Sequence, residues 1–436
     1  MQEASKQTAK GIFFSPEKAA LIEEIKSITL LKENIERAKA ETTTDLMEAI
    51  IGGSIQLGAS DVHMEPEKET VKLRARIDGL LQDVSDLPLE EYNEVLSRIK
   101  HLAGIKLNVE DRPQDGRFSV FMKGEKELPI EIRISTLPAE YGETVVARIL
   151  NPKSLISLSD LGLRKDLMET FQKEIKKPNG MIIITGPTGS GKTTTLYAFL
   201  KEIQKPEIKI ITIEDPIEYH LKGISQTQVS PEKGYDFASG LQSIMRQDPD
   251  VILVGEIRDT KTSKIAIQAA LTGHLVFSTL HTNDAAGTVA RMISLEGDIK
   301  NIGPAINMAV AQRLLRKVCS KCLVLETPTA EEEKKIRKIL PEKILKQYKF
   351  SAKSKIAHAK GCEYCNLTGY KGRVGAFEAF LIDAEMERFI LKNPSIADLQ
   401  EKAVEQGMIT MQQDGFIKVL ENKTTIDEIE RVIGEE

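Results

Sequence analysis

Residues 186–193 have the composition and spacing of a loop that binds phosphate groups. They read Gly-Pro-Thr-Gly-Ser-Gly-Lys-Thr, between an apolar run and a helical pattern. Glycines allow a tight turn whose N–H groups approach a polyphosphate, while the lysine reaches its β- and γ-phosphates and the final hydroxyl binds Mg²⁺. We therefore predict a nucleoside triphosphate site in which Thr193 holds Mg²⁺. Its residues are Gly186, Pro187, Thr188, Gly189, Ser190, Gly191, Lys192, Thr193 and Thr194.

Two acidic segments follow the next apolar stretches of the chain, at residues 214–218 and 255–259. In an open parallel sheet, ligands bind at the carboxyl ends of the strands, so both segments are expected beside the phosphates. Hydrolysis needs one carboxylate that orients the attacking water and another that organises Mg²⁺ or its waters. We assign these roles to Glu218 and Glu256. The alternative is that some of these acids cap the following helix, which fits Asp215 or Asp259 better than Glu256.

His281 follows a fourth apolar run, at residues 275–279. A donor at the carboxyl end of a strand can sense the γ-phosphate of a bound nucleotide. We propose this role for His281, with a purely structural role as the alternative. His274 lies at the opposite end of the same run, and we predict that it is structural.

All four cysteines belong to Cys-x-x-Cys pairs, which is the pattern of a structural zinc site with four thiolate ligands. The pairs are Cys319 with Cys322 and Cys362 with Cys365. The insertion between them is longer than in the usual zinc ribbon, so it must fold as a subdomain. Two redox-active pairs are the alternative, although the expected thioredoxin-like context is absent. A closed site of four thiolates has no open position, so the metal is predicted to be structural.

Three arginines lie in or beside predicted strands before the nucleotide domain, namely Arg117, Arg133 and Arg148. An arginine in a strand is usually a solvated or salt-bridged surface residue. An ATPase that works as a ring, however, needs arginines from a neighbouring subunit to stabilise charge on the transferred phosphate. Both interpretations remain open for these three residues.

The hydrophobic pattern predicts an α/β protein with alternating strands and helices typical of a doubly wound sheet around the phosphate loop. Residues 1–15 resemble a loose leader, and a helix over 16–40 either docks on a partner or packs on its own domain. The last hundred residues are predicted to be mainly helical. The predicted units are a leader and helix (1–44), an α+β domain (45–152) and an ATPase domain (153–436) that includes the cysteine subdomain (319–365).

The strands and helices are assigned from alternating and helical spacing of apolar residues. Predicted helices cover 45–57 and 89–107. Predicted strands cover 71–77, which ends at an Asp-Gly turn, and 118–122, 130–135, 144–149, 181–185, 208–213, 251–254 and 275–279.

The composition is that of a globular protein, with 41% hydrophobic and 29% charged residues. Apolar runs are too short to span a membrane, and the N-terminus lacks the apolar core of a signal peptide. We therefore predict a cytoplasmic protein. The net charge of −5 disfavours a nucleic-acid partner, because such binding depends on neutralising phosphates.

In combination, these motifs resemble those of the secretion-superfamily traffic ATPases, the motors of type IV pilus assembly and type II secretion. The phosphate loop through Tyr197 is similar to the family's Walker A motif. Residues 213–219, 248–259 and 273–283 are similar to its Asp-box, Walker B and His-box. Residues 60–63, 76–79 and 114–117 are similar to parts of its N-terminal ring domain.

The resemblance implies a PAS-like ring domain, a RecA-like ATPase domain and a homohexamer that uses ATP, Mg²⁺ and Zn²⁺. It implies that Glu218 is the general base, that Glu256 is the Walker B acid, and that Arg117, Arg133 and Arg148 point toward nucleotide. The cysteine module implies the extension branch. Such motors usually have a further N-terminal docking domain, so here either the helix over 16–40 or another surface is expected to serve.

The predicted function is a cytoplasmic ATPase motor at the inner or plasma membrane that acts on a platform protein and assembles pilus or pseudopilus filaments. A DNA-uptake or conjugation-type translocase is one alternative, and steep loss of nucleic-acid affinity with salt would identify it. A nucleotide-gated scaffold with little turnover is the other, and the acids Glu218 and Glu256 argue against it.

Overall fold

The computed structural model describes residues 11–122 and 129–434, which form two compact units. The first unit takes the chain up to Ser154, together with the short segments Cys319–Cys322 and Lys360–Lys371. The second takes the remaining residues. This grouping differs from the predicted scheme, which placed both cysteine pairs in the ATPase domain. The predicted leader lies partly outside the described residues, at positions 1–10.

The first unit is a seven-stranded sheet with helices packed on it, in the order β1-β5-β6-β7-β2-β3-β4. Among the described residues, neighbouring strands of this sheet pair antiparallel, except that β1 runs parallel to β5. The elements are β1 (Gly11–Phe13), α1 (Pro16–Glu23), α2 (Ile28–Lys39), α3 (Thr43–Gln56), β2 (Ala59–Pro66), β3 (Thr70–Ile77), β4 (Leu80–Pro88), α4 (Leu89–Ala103), β5 (Gln114–Phe121), β6 (Ile130–Ala139) and β7 (Gly142–Leu150).

The hairpin between β3 and β4 shows how local sequence determines this sheet. Alternate residues of β3 are buried, so one face of the strand joins the core. Asp78 and Gly79 both have positive φ values, 50° and 85°, as a two-residue hairpin turn of type I′ requires. The predicted Asp-Gly turn is thereby confirmed. The helix predicted over 89–107 ends earlier, because Gly104 adopts the left-handed conformation that closes α4.

The predicted single helix over 16–40 is wrong. The first helix ends at Glu23, and a second helix begins at Ile28. Ser27 caps the second helix by accepting a hydrogen bond from the N–H of Leu30 at 3.3 Å. Both helices pack closely on α3, where Gly53 has no side chain to collide with Leu31. These contacts support the interpretation that the segment packs on its own domain. The predicted leader also contains a strand, β1.

The second unit is built on another seven-stranded sheet, in the order β10-β9-β11-β12-β8-β13-β16. The strands from β10 to β13 are parallel. The elements are α5 (Lys165–Glu174), β8 (Gly180–Thr185), α6 (Lys192–Ile203), β9 (Ile210–Glu214), β10 (Ser225–Gln228), α7 (Phe237–Ile244), β11 (Val251–Val254), α8 (Thr260–Leu271), β12 (Leu275–Leu280), α9 (Ala285–Glu296), α10 (Ile302–Ala305), β13 (Ile306–Val318), β14 (Val324–Glu326), α11 (Ala330–Ile339), α12 (Glu342–Gln347), β15 (Ile356–His358), β16 (Tyr370–Leu381), α13 (Ala384–Ile390), α14 (Ile396–Glu405), α15 (Met411–Leu420) and α16 (Ile426–Ile433).

The central strands of this sheet are buried on both faces, which explains their uninterrupted apolar sequences. In β8, Met181 and Ile183 join one core cluster, while Ile182 and Ile184 join the other. Helices therefore cover both faces, and the carboxyl ends of β8, β9, β11, β12 and β13 share one edge of the sheet. The predicted α/β class is confirmed.

Two long strands were not predicted. The last hundred residues are mainly helical, as expected, but β16 separates α11 and α12 from the helices α13 to α16. The other unpredicted strand, β13, precedes the cysteine segments. The sequence of β13 is almost continuously buried, and a buried apolar run does not by itself distinguish a strand from a helix. Residues 306–318 form a strand because they pair with the neighbouring strand β8.

No helix within residues 11–122 or 129–434 combines the length and the apolar composition needed to cross a bilayer.

Candidate nucleotide site and cysteine cluster

The phosphate loop connects β8 to α6, as predicted. Its three glycines all have positive φ values, of 147° for Gly186, 79° for Gly189 and 88° for Gly191. A Cβ atom on Gly186 would lie 2.5 Å from the carbonyl oxygen of Gln312, so only glycine fits there. The hydroxyl of Ser190 is buried and makes no hydrogen bond among the described residues. The loop thus has the backbone conformation and an unsatisfied polar group that suit a bound anion.

Lys192 is the first residue of α6, and its ammonium group folds over the loop. Its Nζ donates to the carbonyl oxygens of Gly186, at 2.7 Å, and Pro187, at 3.1 Å. Burial lowers the pKa of Lys192 to about 8, since desolvation disfavours the charged form. Glu256 raises this pKa, and Arg313 lowers it further. A nearby anion would therefore stabilise the charged form of this lysine.

Glu256 and His281 come together at the carboxyl edge of the sheet. His281 Nε2 lies 3.4 Å from Glu256 Oε2, and an Arg258 guanidinium nitrogen lies 2.5 Å from Glu256 Oε1. Glu256 is largely buried, whereas His281 is 52% exposed. Because Glu256 also acts electrostatically on Lys192, these three predicted residues belong to one site.

The loop that carries His281 is fastened to the strand that precedes the phosphate loop. Thr282 donates through its N–H to Thr185 Oγ1 at 2.7 Å, and Thr185 Oγ1 in turn donates to the carbonyl oxygen of Leu280 at 3.2 Å. His274 lies at the other end of β12, where its Nδ1 is 3.0 Å from the carbonyl oxygen of Ala269. That contact supports the structural role predicted for His274.

In the first acidic segment, Glu214 is the buried acid, whereas Glu218, the predicted general base, is not fully buried. Glu214 ends β9 and accepts hydrogen bonds from Tyr197, from Thr212 at 2.6 Å and from Gln226 at 3.2 Å. Glu218 is half-buried, four residues beyond the strand end. Its assignment as general base stays a prediction. Sequence reasoning overlooked Glu214, although its position as the last residue of an apolar strand is the signal used for Glu256.

The three predicted arginines lie side by side on neighbouring strands of the first unit. Arg117 pairs in register with Arg133, and Arg133 with Arg148. Arg148 donates from Nε to Asp61 at 3.0 Å, and Arg133 donates to Glu131 at 3.3 Å. The exposed fractions of Arg117 and Arg148 are 69% and 56%. The structure brings the arginines into one row, and their role toward nucleotide stays a prediction.

The four cysteine sulfurs form a compact cluster within the first unit. All four lie within 4.8 Å of one another. Cys319 and Cys362 are 3.9 Å apart, Cys322 and Cys365 are 3.8 Å apart, and Cys362 and Cys365 are 3.7 Å apart. A tetrahedron with Zn–S bonds of about 2.3 Å places its sulfurs about 3.8 Å apart. The geometry is therefore compatible with zinc.

The surroundings of Cys365 favour its thiolate form. Burial acts to raise the pKa of its thiol, but the N–H groups of Cys362 and Gly369, each 3.2 Å from Sγ, lower it to about 7. The thiolate is the form that binds metal.

The parallel sheet and the glycine-rich loop between β8 and α6 define a protein of the phosphate-loop class. The sequence profile of the type II/IV secretion system protein family matches residues 36–431. The chain belongs to this family, which confirms the resemblance inferred from its motifs.

Known relatives agree with this assignment. The type IV pilus assembly ATPase PilB of Thermus thermophilus is 42% identical, over 85% of this chain and 41% of that protein. The type II secretion system protein E of Xanthomonas campestris is 39% identical, over 89% of this chain and 66% of that protein. This chain thus spans less than two thirds of the length of either relative.

A solved structure supports the fold. The pilus retraction motor PilT with bound ADP is similar with a TM-score of 0.57 and 26% identity, covering 88% of this chain and 95% of that chain.

Proposed function

We propose that this chain hydrolyses ATP and, as a ring of six copies, powers the assembly of a type IV pilus or a type II secretion filament. The observation that carries the proposal is the convergence of Lys192, Glu256 and His281 around a glycine-rich loop at the carboxyl edge of a parallel sheet. The choice of machine rests on the names of the relatives, which are a pilus assembly ATPase and a type II secretion protein.

The proposed reaction is in-line attack of water on the γ-phosphate of ATP. Glu218 orients the water and accepts its proton. The bond between the γ-phosphorus and the oxygen that links it to the β-phosphorus breaks, and that oxygen leaves as part of ADP. Lys192 and the loop N–H groups offset negative charge on the phosphates. His281 senses the γ-phosphate from the adjoining loop.

Mg²⁺ fits the residues of this site. Glu256 Oε2 is buried and has no hydrogen-bond partner among the described residues. Thr193 and Glu256, the latter directly or through water, would hold the ion. Held there, Mg²⁺ would supply positive charge that offsets the negative charge on the phosphates.

Zinc fits the cysteine cluster, and we propose that Cys319, Cys322, Cys362 and Cys365 hold it in a structural role. The spacing of the sulfurs and the N–H groups directed at Cys365 support this.

The proposed location is the cytoplasmic face of the inner membrane, with a membrane platform protein as the partner.

Replacing Lys192 with alanine tests the ATPase proposal. K192A removes the cation that contacts the phosphates, so we expect ATP turnover to fall to background in a phosphate-release assay. Lys201 lies exposed on the same helix, and K201A is the matched control, with turnover close to that of the unmodified protein. Unchanged turnover in K192A would show that hydrolysis does not occur at this loop.

A further inference from the structure

Arg313 lies at the edge of the sheet where the phosphate loop begins. Strand β13 runs parallel to β8, and Ala311 pairs in register with Thr185, the last residue before the loop. Arg313 follows two positions later. A Cβ atom built on Gly186 would lie 3.2 Å from an Arg313 guanidinium nitrogen. The guanidinium therefore lies against the first residue of the phosphate loop.

The same guanidinium is bonded to the loop that carries His281. Arg313 donates from Nη2 to the carbonyl oxygen of Asn283 at 2.9 Å and from Nη1 to the carbonyl oxygen of Gln312 at 3.1 Å. Its position is thus fixed by backbone atoms of β13 and of the segment after β12. One side chain bridges the two loops of the nucleotide site.

The charge of Arg313 is only partly balanced by its surroundings. Its side chain is half-buried, and both of its hydrogen bonds go to neutral backbone carbonyl oxygens rather than to a carboxylate. Burial lowers the pKa of Arg313, whereas Glu378 and Asp284 act from a greater distance to raise it. Glu378 itself accepts hydrogen bonds from the N–H groups of Ala285 and Met411. A guanidinium held in this way retains a net attraction for an anion.

The anion that this charge favours follows from its neighbours. Lys192 Nζ donates to the carbonyl oxygen of Gly186, and the Arg313 guanidinium lies beside the same glycine. The positive charge of Arg313 also lowers the pKa of Lys192. In a loop of this type the lysine contacts the β- and γ-phosphates. In a nucleotide complex, Arg313 is therefore expected beside the terminal end of the polyphosphate rather than beside the base or the sugar.

We propose that Arg313 is a further phosphate-binding residue, supplied by the same subunit as the loop, that contacts the terminal phosphate of a nucleoside triphosphate and positions the His281 loop against it. This inference rests on the proposed nucleotide site. It assigns a function to a residue outside the glycine-rich, acidic and histidine motifs. A guanidinium presents several donors in a plane and so can bind a phosphate oxygen while it keeps its bond to Asn283.

The test measures binding of a non-hydrolysable ATP analogue and of ADP, each with Mg²⁺, to R313Q, R313K and the unmodified protein by isothermal titration calorimetry. Loss of one charged hydrogen bond corresponds to a weakening of about tenfold, so we expect R313Q to bind the analogue about tenfold more weakly. ADP affinity should fall less, since ADP lacks the terminal phosphate. R313K keeps the charge but not the planar donors, so a loss of about threefold is expected.

The matched control is R388Q, which removes an exposed arginine from α13 and should bind both nucleotides like the unmodified protein. If R313Q fails to fold in a thermal melt, R313K decides the question. Analogue affinity equal to that of the unmodified protein in folded R313K, or equal losses for the analogue and ADP in folded R313Q, would overturn the proposal. K192A serves as the reference: unimpaired binding there would instead disprove the nucleotide site itself.

Discussion

Lys192 occupies surroundings that oppose its own charge. Its ammonium group is desolvated, and Arg313 places a second positive charge nearby, so that Glu256 is the charged group that raises the pKa of this lysine. The resulting pKa of about 8 is well below that of a solvated lysine. A polyphosphate supplies the missing negative charge and favours protonation. The residue proposed to contact the phosphates is therefore also one whose protonation is expected to depend on their presence.

We expect nucleotide binding to take up protons at mildly alkaline pH. At pH 8 about half of the free protein carries a neutral Lys192, while the complex carries it charged, so binding draws a proton from the buffer. Affinity should consequently fall as pH rises through 8, because the lysine must first be protonated. Titration calorimetry at pH 8 in two buffers of different ionisation enthalpy measures this uptake.

K192R is the control for proton uptake, because arginine stays charged throughout this pH range. Its heat of binding should not depend on the buffer. Identical heats in both buffers for the unmodified protein would contradict the assigned pKa.

At the scale of elements, the sequence predicted best where a pattern is bounded by a turn or a cap. Strands β8, β11 and β12 follow from apolar runs that end in functional motifs. Strand β13 could not be predicted in the same way, since its burial on both faces removes the alternation that identifies a strand. The break between α1 and α2 was missed because Ile25 continues the apolar pattern while Ser27 restarts the helix.

The site was predictable for a related reason. Lys192, Glu256 and the cysteine pairs lie in local motifs whose chemistry depends on short spacing. Arg313 lies more than a hundred residues beyond the phosphate loop, and only the order of strands in the sheet brings it beside Gly186. Contacts that depend on strand order are not visible in the sequence.

The cysteine cluster joins two distant stretches of chain, so its metal should stabilise the elements around it. C362S removes one of four thiolate ligands, and we expect loss of bound zinc and a lower melting temperature. Elemental analysis measures the amount of bound zinc, and a thermal melt measures the melting temperature. Ser320 lies exposed between the first two cysteines, so S320A is a matched control that should keep the metal. Equal zinc content in C362S would contradict the assigned ligands.

At the scale of the whole molecule, the row of three arginines belongs to one unit and the phosphate loop to the other. Arg117 and Arg148 are exposed in the single chain, where a neighbouring subunit of a ring can meet them. Catalysis completed between subunits would then depend on assembly.

Mixing two inactive variants tests this dependence. K192A lacks the phosphate-loop cation and R148Q lacks an arginine of the row, so each alone should show little ATP turnover. If Arg148 acts on a neighbour's nucleotide, mixed rings contain some complete sites, and turnover should recover on mixing. R98Q, which changes an exposed arginine of α4, should be active alone. Failure of every mixture to recover, with light scattering showing mixed assemblies, would place Arg148 within its own subunit.

The path of the chain between the two units also determines how the protein is made. The first unit includes Cys319–Cys322 and Lys360–Lys371, which the ribosome synthesises long after residue 154. Its early segment can begin to fold on emergence, but it lacks its late cysteine segments until most of the second unit has been translated. A single proteolytic cut after Ser154 would likewise leave the units joined, because the chain returns to the first unit twice more. Completion of the first unit thus requires translation at least as far as Lys371.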